Sequence, residues 1–184
     1  MHVSRLLVRW TAAAALVVSA LSLSAGARAG DDPAPAAPAA PPPQKTVKHP
    51  FFDGLVGSYT TTMKGQMGDG SGKVTVRLGV GGTAVIEDYD ATMGKDPFSG
   101  HGVFKVGDDG KTVTIWWFDT MMPEAMKLSG ALTDTGYDVS GDIPGAGMKM
   151  RLTFEKKGAT YEMRGFGGDG AEWMKETWTR VTAK

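Results

Sequence analysis

The sequence predicts an all-β domain, an antiparallel up-and-down β-barrel of about ten strands, which follows a signal peptide and a disordered linker. Three observations predict this fold. After residue 50, short runs of alternating apolar and polar residues recur about every thirteen positions. Glycine-bearing turns of the kind that close hairpins separate nearly all of these runs. Consecutive hairpins form a meander, and closing the meander into a barrel removes its exposed edges.

The start of the chain has the features of an export signal. A short basic segment precedes the apolar run 10–23, and Ala27, Arg28 and Ala29 place small residues where a signal peptidase reads them. We therefore expect residues 1–29 to be a signal peptide and the mature protein to be periplasmic or extracellular. An uncleaved anchor is the alternative, although the run is shorter than the ~20 residues that a spanning helix needs.

Residues 30–49 are rich in proline and alanine, and they predict a disordered linker. Proline fixes φ and lacks a donor, and alanine offers little area to bury, so the segment is expected to be an extended tether. The folded domain is therefore expected over residues 50–184.

Within this domain the alternating runs predict ten strands. They cover residues 55–64, 73–80, 83–93, 98–106, 111–119, 125–133, 137–143, 147–155, 159–166 and 171–181. Turn residues that tolerate positive φ separate them, such as the pairs at 109–110 and 157–158. One segment, 120–126, is a helical candidate, and it is too short for more than a turn or two.

The run 111–119, KTVTIWWFD, is the most apolar of the predicted strands. Val113, Ile115 and Trp117 fall on one face, while Trp116 and Phe118 fall on the other. Apolar residues on both faces predict that one face meets the barrel interior and the other a covering loop or helix.

Charge and cysteine content exclude several classes of function. Residues 1–29 hold three arginines and no acid, which leaves 20 − 3 = 17 basic and 20 acidic residues in the mature chain. A mildly acidic domain has no electrostatic footprint for nucleic acid. The absence of cysteine excludes disulfides, thiolate metal sites and a cysteine nucleophile.

No motif in the sequence predicts catalysis. The glycine-rich segment 68–74 departs from the phosphate-loop pattern, and no serine lies in a Gly-x-Ser-x-Gly elbow. His101 is the only histidine expected inside the domain. Side chains that an enzyme could use are present without a spacing that singles them out: Glu87, Asp88, Asp90, His101, Asp119 and Arg151.

Methionine is the most unusual component of the domain, with ten of the chain's 11 methionines after residue 49. Unbranched, polarisable side chains suit an adaptable apolar cavity or an uneven core. Binding of Cu(I) by the thioethers of segments 121–126 or 148–150 is the alternative. Met148 and Met150 share a strand face with Leu152 and Phe154, which favours lining over copper.

The last predicted strand places Glu176, Trp178 and Arg180 on one face. If that face points inward, Arg180 could hold the acid head of an amphiphilic ligand through a bidentate hydrogen bond. Alternatively, Arg180 pairs with a carboxylate and closes the barrel. The predicted lining residues of an interior site are Trp117, Met150, Met163, Trp178 and Arg180.

Several stretches resemble the domain-of-unknown-function 1579 family, one of the calycin group of lipocalin-like barrels. They are 55–59 (LVGSY), the glycine pair 81–82, 93–102 (MGKDPFSGHG), 117–120 (WFDT) and 175–180 (KETWTR). The third is similar to a Met-Gly-x-x-Pro-Phe-x-Gly-x-Gly signature of that family. The resemblance implies a calycin barrel over residues 50–184 and no particular reaction.

A neighbouring calycin family, the nitrobindins, binds haem through a histidine near the end of its domain. The histidines of this chain are His2, His49 and His101, so the residue that would ligate haem iron is absent. No cofactor is therefore expected.

Three hypotheses follow for function. The first is a non-enzymatic, exported barrel that binds a small apolar or amphiphilic molecule in its interior. The second is a solid-cored structural or protein-interaction module of the cell envelope, with a small interior cavity. The third is an enzyme, which would need titratable groups that converge in one pocket.

Overall fold

The computed structural model describes residues 49–182, which form a closed barrel of ten antiparallel strands. The strands follow one another around the barrel in sequence order, and β1 closes the ring against β10. Their bounds are β1 Gly57–Gly65, β2 Gly70–Leu78, β3 Val85–Met93, β4 Asp96–Val106, β5 Thr112–Asp119, β6 Met126–Thr133, β7 Gly136–Ile143, β8 Met148–Lys157, β9 Thr160–Gly167 and β10 Glu172–Arg180. The predicted lipocalin-like, up-and-down barrel is thus confirmed, whereas the predicted signal peptide and residues 30–48 of the predicted linker lie outside the described residues.

The alternation of side chains sorts the strands into an interior and an outer face. On β5, Val113 and Ile115 are buried, and Trp117 is partly buried against the core. The expected covering layer on the outer face is wrong, because Phe118 is 48% exposed. Trp116 also lies outside, with the ammonium of Lys127 5.9 Å from the centre of its ring.

A short helix that the sequence analysis missed, α1 (Pro50–Leu55), precedes the first strand. Its N-cap is His49, whose Nδ1 accepts a hydrogen bond from the Phe51 N–H at 3.3 Å, and Pro50 occupies the first turn, where a missing N–H costs nothing. His49, the last residue of the expected linker, is buried. The helical candidate 120–126 is also wrong, because that segment is a link of turns and bends.

Helix α1 closes one end of the barrel with apolar side chains. Phe51, Phe52 and Leu55 are all buried. The ring of Phe51 meets those of Tyr137 and Phe154 edge-on, each at 6.0 Å between centroids. Aromatic side chains therefore fill the half of the barrel next to α1.

Arg180 fastens α1 to the barrel wall. Its Nη1 donates to the Val56 carbonyl oxygen at 2.9 Å, and its Nη2 donates to the Tyr59 hydroxyl at 2.6 Å and to the Gly54 carbonyl oxygen. Tyr161 also donates to Gly54, at 3.1 Å. These bonds satisfy carbonyls at the C-terminal end of α1, where a cation is favourable.

The opposite end of the barrel has no such helix among residues 49–182. Because consecutive strands run in opposite directions, the loops 66–69, 94–95, 120–125, 144–147 and 168–171 all lie there.

No helix in the described part of the chain combines the length and apolar character needed to cross a bilayer.

Candidate functional site

A cavity of about 1030 Å³ occupies the half of the barrel away from α1. Ten strands enclose a wider interior than the eight whose side chains just fill a small barrel, so the ring leaves space where no helix enters it. The volume lies at the upper end of the range of about 300–1,000 Å³ typical of small-molecule sites. The barrel is therefore filled at one end and hollow at the other.

Methionine side chains dominate the cavity wall. Of the ten methionines after residue 49, all of which the structure describes, nine line the cavity. They are Met67, Met93, Met121, Met122, Met126, Met148, Met150, Met163 and Met174. The tenth, Met63, is buried and is not a lining residue. Because the nine come from strands and loops all around the barrel, they form an adaptable apolar wall rather than one cluster.

Three of the five predicted site residues line this cavity, namely Trp117, Met150 and Met163. Trp178 and Arg180 do not, because Trp178 lies on the buried face of β10 outside the cavity and Arg180 is exposed at the end of the strand. Trp178 is 1% exposed and packs on Phe154, 4.8 Å between ring centroids, in the filled half. Both residues lie near α1, away from the hollow half.

Arg180 also departs from both interpretations of its role. Within residues 49–182 it donates to the carbonyl oxygens of Gly54 and Val56 and to the hydroxyl of Tyr59, and to no carboxylate. It therefore closes the barrel, as the alternative held, but through neutral acceptors. The acid head of a ligand cannot reach it through the filled half.

Trp117 owes its position to glycines on the neighbouring strand β4. A Cβ at Gly100 would overlap the indole ring of Trp117, and one at Gly102 would lie 3.3 Å from the same ring. The indole stacks on Phe98 with a centroid separation of 6.5 Å, and its Nε1 donates to Asp119 Oδ2 at 2.8 Å. The side chain is thus held flat along the cavity wall.

Two buried carboxyls, from Glu87 and Glu176, lie in the cavity wall, which has further charged side chains at its open end. Glu87 is 5% exposed and Glu176 is 1% exposed. The Tyr89 hydroxyl donates to Glu176 Oε1 at 2.7 Å. Glu176 Oε2, in contrast, has no hydrogen-bond partner within residues 49–182. Glu176 lies in the middle of β10, and Glu87 is the third residue of β3.

Burial shifts the acidity of these groups. The pKa of Glu87 rises from an ordinary value of 4.5 to about 8, first because the carboxyl is desolvated and then because Glu176 and Asp88 are negative neighbours. Burial likewise raises the pKa of Glu176, although Tyr89, Trp178 and Thr61 lower it by stabilising the carboxylate. Glu87 therefore carries a proton at neutral pH.

The two carboxyls were not among the predicted site residues. A signal was present in the sequence, because Glu176 shares its alternating face with two large apolar residues, Met174 and Trp178. Glu87 similarly lies between Val85 and Tyr89 on the inward face of β3. An acid on the apolar face of an amphipathic strand is a sign of a buried ionisable group.

The other side chains that an enzyme could use do not join this cavity as a group. His101 Nδ1 lies 2.7 Å from Asp88 Oδ1, and Ser99 donates to Asp90 at 2.8 Å, in a shallow outer groove of about 350 Å³. Arg151 pairs with Asp138 elsewhere on the outer surface, with a shortest distance of 2.6 Å. Over residues 49–182, no group of three or more His, Asp or Glu side chains is arranged to hold a metal ion.

Comparison with known proteins does not assign the chain. No protein-family model matches it, and no curated protein matches it.

Proposed function

We propose that this protein is an exported binding protein that holds one small apolar or amphiphilic molecule inside its barrel. The observation that carries the proposal is the cavity of about 1030 Å³ with thioether and aromatic walls. Apolar ligands are recognised in such spaces because both the wall and the ligand lose contact with water. Unbranched methionine side chains can adjust to ligands of different shape.

The hollow interior favours a binding protein over the solid-cored alternative. A structural module with a filled barrel needs only a small cavity, and this cavity exceeds the size of most drug-binding sites. The mouth is apolar as well, since Met67, Met121 and Met148 are 46%, 61% and 58% exposed. An apolar ligand would therefore meet apolar side chains from the rim inward.

A neutral, environment-sensitive dye, N-phenylnaphthylamine, tests the proposal. We expect the purified mature protein to bind one dye molecule per chain with a large rise in dye fluorescence. Met163→Trp adds bulk to the cavity wall and should weaken binding about tenfold or more. Glu155→Trp adds the same ring to the exposed outer face of β8 and is the matched control. Absence of dye binding, or equal loss in both variants, would contradict the proposal.

Export and family membership belong to the same proposal. The signal-like residues 1–29 support export, and mass spectrometry of the protein from its native host should give a mature chain that begins at Gly30. A mature chain that still contains residues 1–29 would contradict cleavage. Membership of the domain-of-unknown-function 1579 family rests on the resemblance of the sequence stretches and stays a prediction.

A further inference from the structure

Most of the charged residues on the cavity wall are acidic. Among the described lining residues, four are acidic and one, Lys149, is basic, so the wall carries a formal charge of 1 − 4 = −3 when all are ionised. Three of these residues lie at the open end of the barrel. Asp169 is on loop 168–171, Asp119 is the last residue of β5, and Lys149 is the second residue of β8. The deep pair, Glu87 and Glu176, has no basic neighbour on the cavity wall.

The deep pair is incompletely satisfied by the protein. Glu176 Oε2 makes no hydrogen bond of good geometry, although the Thr61 hydroxyl and the Trp178 Nε1–H lie near enough to stabilise this carboxylate. The Glu87 side chain is 5% exposed, and the charged groups that act on its carboxyl, Glu176 and Asp88, are both acids. A buried carboxyl without a donor is unfavourable, and a polar ligand group can supply the missing donor.

We propose that the ligand of this cavity is an amphiphile with an organic ammonium head, which binds between Glu87 and Glu176 while its apolar part lies along the methionine wall. This inference rests on the proposed function and names its ligand class. An ammonium group offers several N–H donors and no acceptor, as a lysine side chain does. Two carboxyls with free acceptor capacity are the complement of such a group.

The same geometry disfavours the opposite ligand charge. Where Glu87 and Glu176 are ionised, a carboxylate head in the hollow half would meet two negative charges and no base at its depth, in surroundings where water screens little. The side chains of Tyr89, Tyr137 and Trp117 also line the cavity, and aromatic rings attract a cation that approaches their π-faces. The sequence-based expectation of an acid head held by Arg180 is therefore replaced by the reverse polarity.

The binding of a cation is linked to protons at this site. The titratable groups that face Glu176 are Glu87 and Tyr89 on β3 and Tyr137 on β7, and the charged groups at the rim are Asp119, Lys149 and Asp169. Because Glu87 has a pKa of about 8 in the free protein, an ammonium head must displace its proton below that pH. The affinity for an amine should therefore rise between pH 6 and pH 8, whereas that for a neutral ligand should not change.

Three ligands with one ten-carbon chain test the inference: decylamine, decanol and decanoic acid, each titrated into the protein by calorimetry at pH 6 and pH 8. We expect decylamine to bind at least about tenfold more tightly than decanol at pH 8, and decanoic acid to bind most weakly. Glu176→Gln and Glu87→Gln should each reduce the preference for the amine about tenfold. The far-ultraviolet circular dichroism spectrum and the urea midpoint at pH 5 of each variant, compared with those of the unaltered protein, show whether the barrel is intact.

Glu155→Gln is the matched control, since it removes one carboxylate from the outer face of β8 and should leave the amine preference unchanged. Equal binding of amine and alcohol, with dye binding intact, would overturn the ammonium head but not the apolar site. If Glu155→Gln also loses the preference for decylamine over decanol, the preference reflects the overall charge of the protein and not the deep pair, and the inference is overturned. Failure of the dye and of all three ligands to bind would overturn both proposals.

Discussion

Glu87→Gln should make the protein more stable at pH 8, because Glu87 is a buried acid that prefers to be neutral. In the unfolded chain its pKa returns to 4.5, whereas burial raises the pKa to about 8 in the folded protein. Between these values the folded state holds a proton that the unfolded state has released, so the free energy of unfolding falls as the pH rises from about 5 to 8. Glutamine has nearly the same shape as the protonated acid and does not titrate.

The magnitude follows from the size of the pKa difference. Each pKa unit between folded and unfolded states is worth about 1.4 kcal/mol, so the full difference sets an upper limit of about 5 kcal/mol on the loss by pH 8. Water that enters the cavity reduces the desolvation penalty, and we expect a measured loss of about 2 kcal/mol or more. The pKa of Glu176 is also raised, so the free energy of unfolding of the Glu87→Gln variant should still fall with rising pH, but less steeply.

Urea unfolding at pH 5, 6.5 and 8 measures this effect. A loss of about 2 kcal/mol moves the urea midpoint by about 1 M at a typical slope. Acids whose pKa is lowered, such as Asp138 and Glu162, act at more acidic pH and do not contribute in this window. Glu155→Gln should keep the wild-type slope. A wild-type midpoint that does not fall between pH 5 and 8, or an unchanged slope in Glu87→Gln, would refute the reasoning.

Three further predictions concern the closed end and the cavity wall. Phe52→Ala should lower the free energy of unfolding by about 3–5 kcal/mol in urea, since Phe52 is fully buried, whereas Val80→Ala, at a residue 94% exposed, should be nearly neutral. A chain that begins at His49 should have the same melting temperature in calorimetry as the full mature chain. A chain that begins at Val56 lacks α1 and should melt at a markedly lower temperature. Equal melting temperatures of the two truncated chains would contradict the role of α1. Gly100→Ala should displace Trp117 and change its fluorescence, whereas Gly79→Ala, whose Cβ would meet its nearest atom at 3.3 Å outside the cavity, should not.

The strands were predictable because their pattern is local. Alternation along 147–155 and the turn at 157–158 depend on neighbouring residues alone, and the observed strand β8 covers all of that run except its first residue. Closure of the ring could be inferred because a long meander otherwise exposes two edges. Parity also placed Trp117, Met150, Met163 and Trp178 on inward faces.

The features that were not predicted, helix α1 and the extent of the cavity, depend on contacts that the alternation of side chains along a strand does not show. An inward residue lines the cavity only if it lies far enough from α1 along the barrel axis. Its role therefore cannot be predicted until the position of α1 is known. Helix α1 was missed because it is a single turn at a proline, too short for a periodic pattern, and its stability comes from burial of Phe51 and Phe52. Trp178 and Arg180 were misplaced for that reason alone.

The exposed outer face of β5 was missed for a related reason. Trp116 and Phe118 are apolar, but burial of the outer face needs a covering element, and none packs there among the residues that the structure describes. The sequence pattern shows which side chains share a face and not what lies against that face.

Methyl NMR of protein labelled with [methyl-¹³C]methionine tests the central claim, an apolar cavity that receives a ligand, most directly. Nine methionine methyl groups line the cavity, and Met63, buried outside it, is an internal reference. On titration with decanol we expect the nine signals to shift and to show NOEs to the alkyl chain, while the signal of Met63 stays in place. Shifts confined to the exposed rim residues Met67, Met121 and Met148, or no shift at all, would contradict the claim.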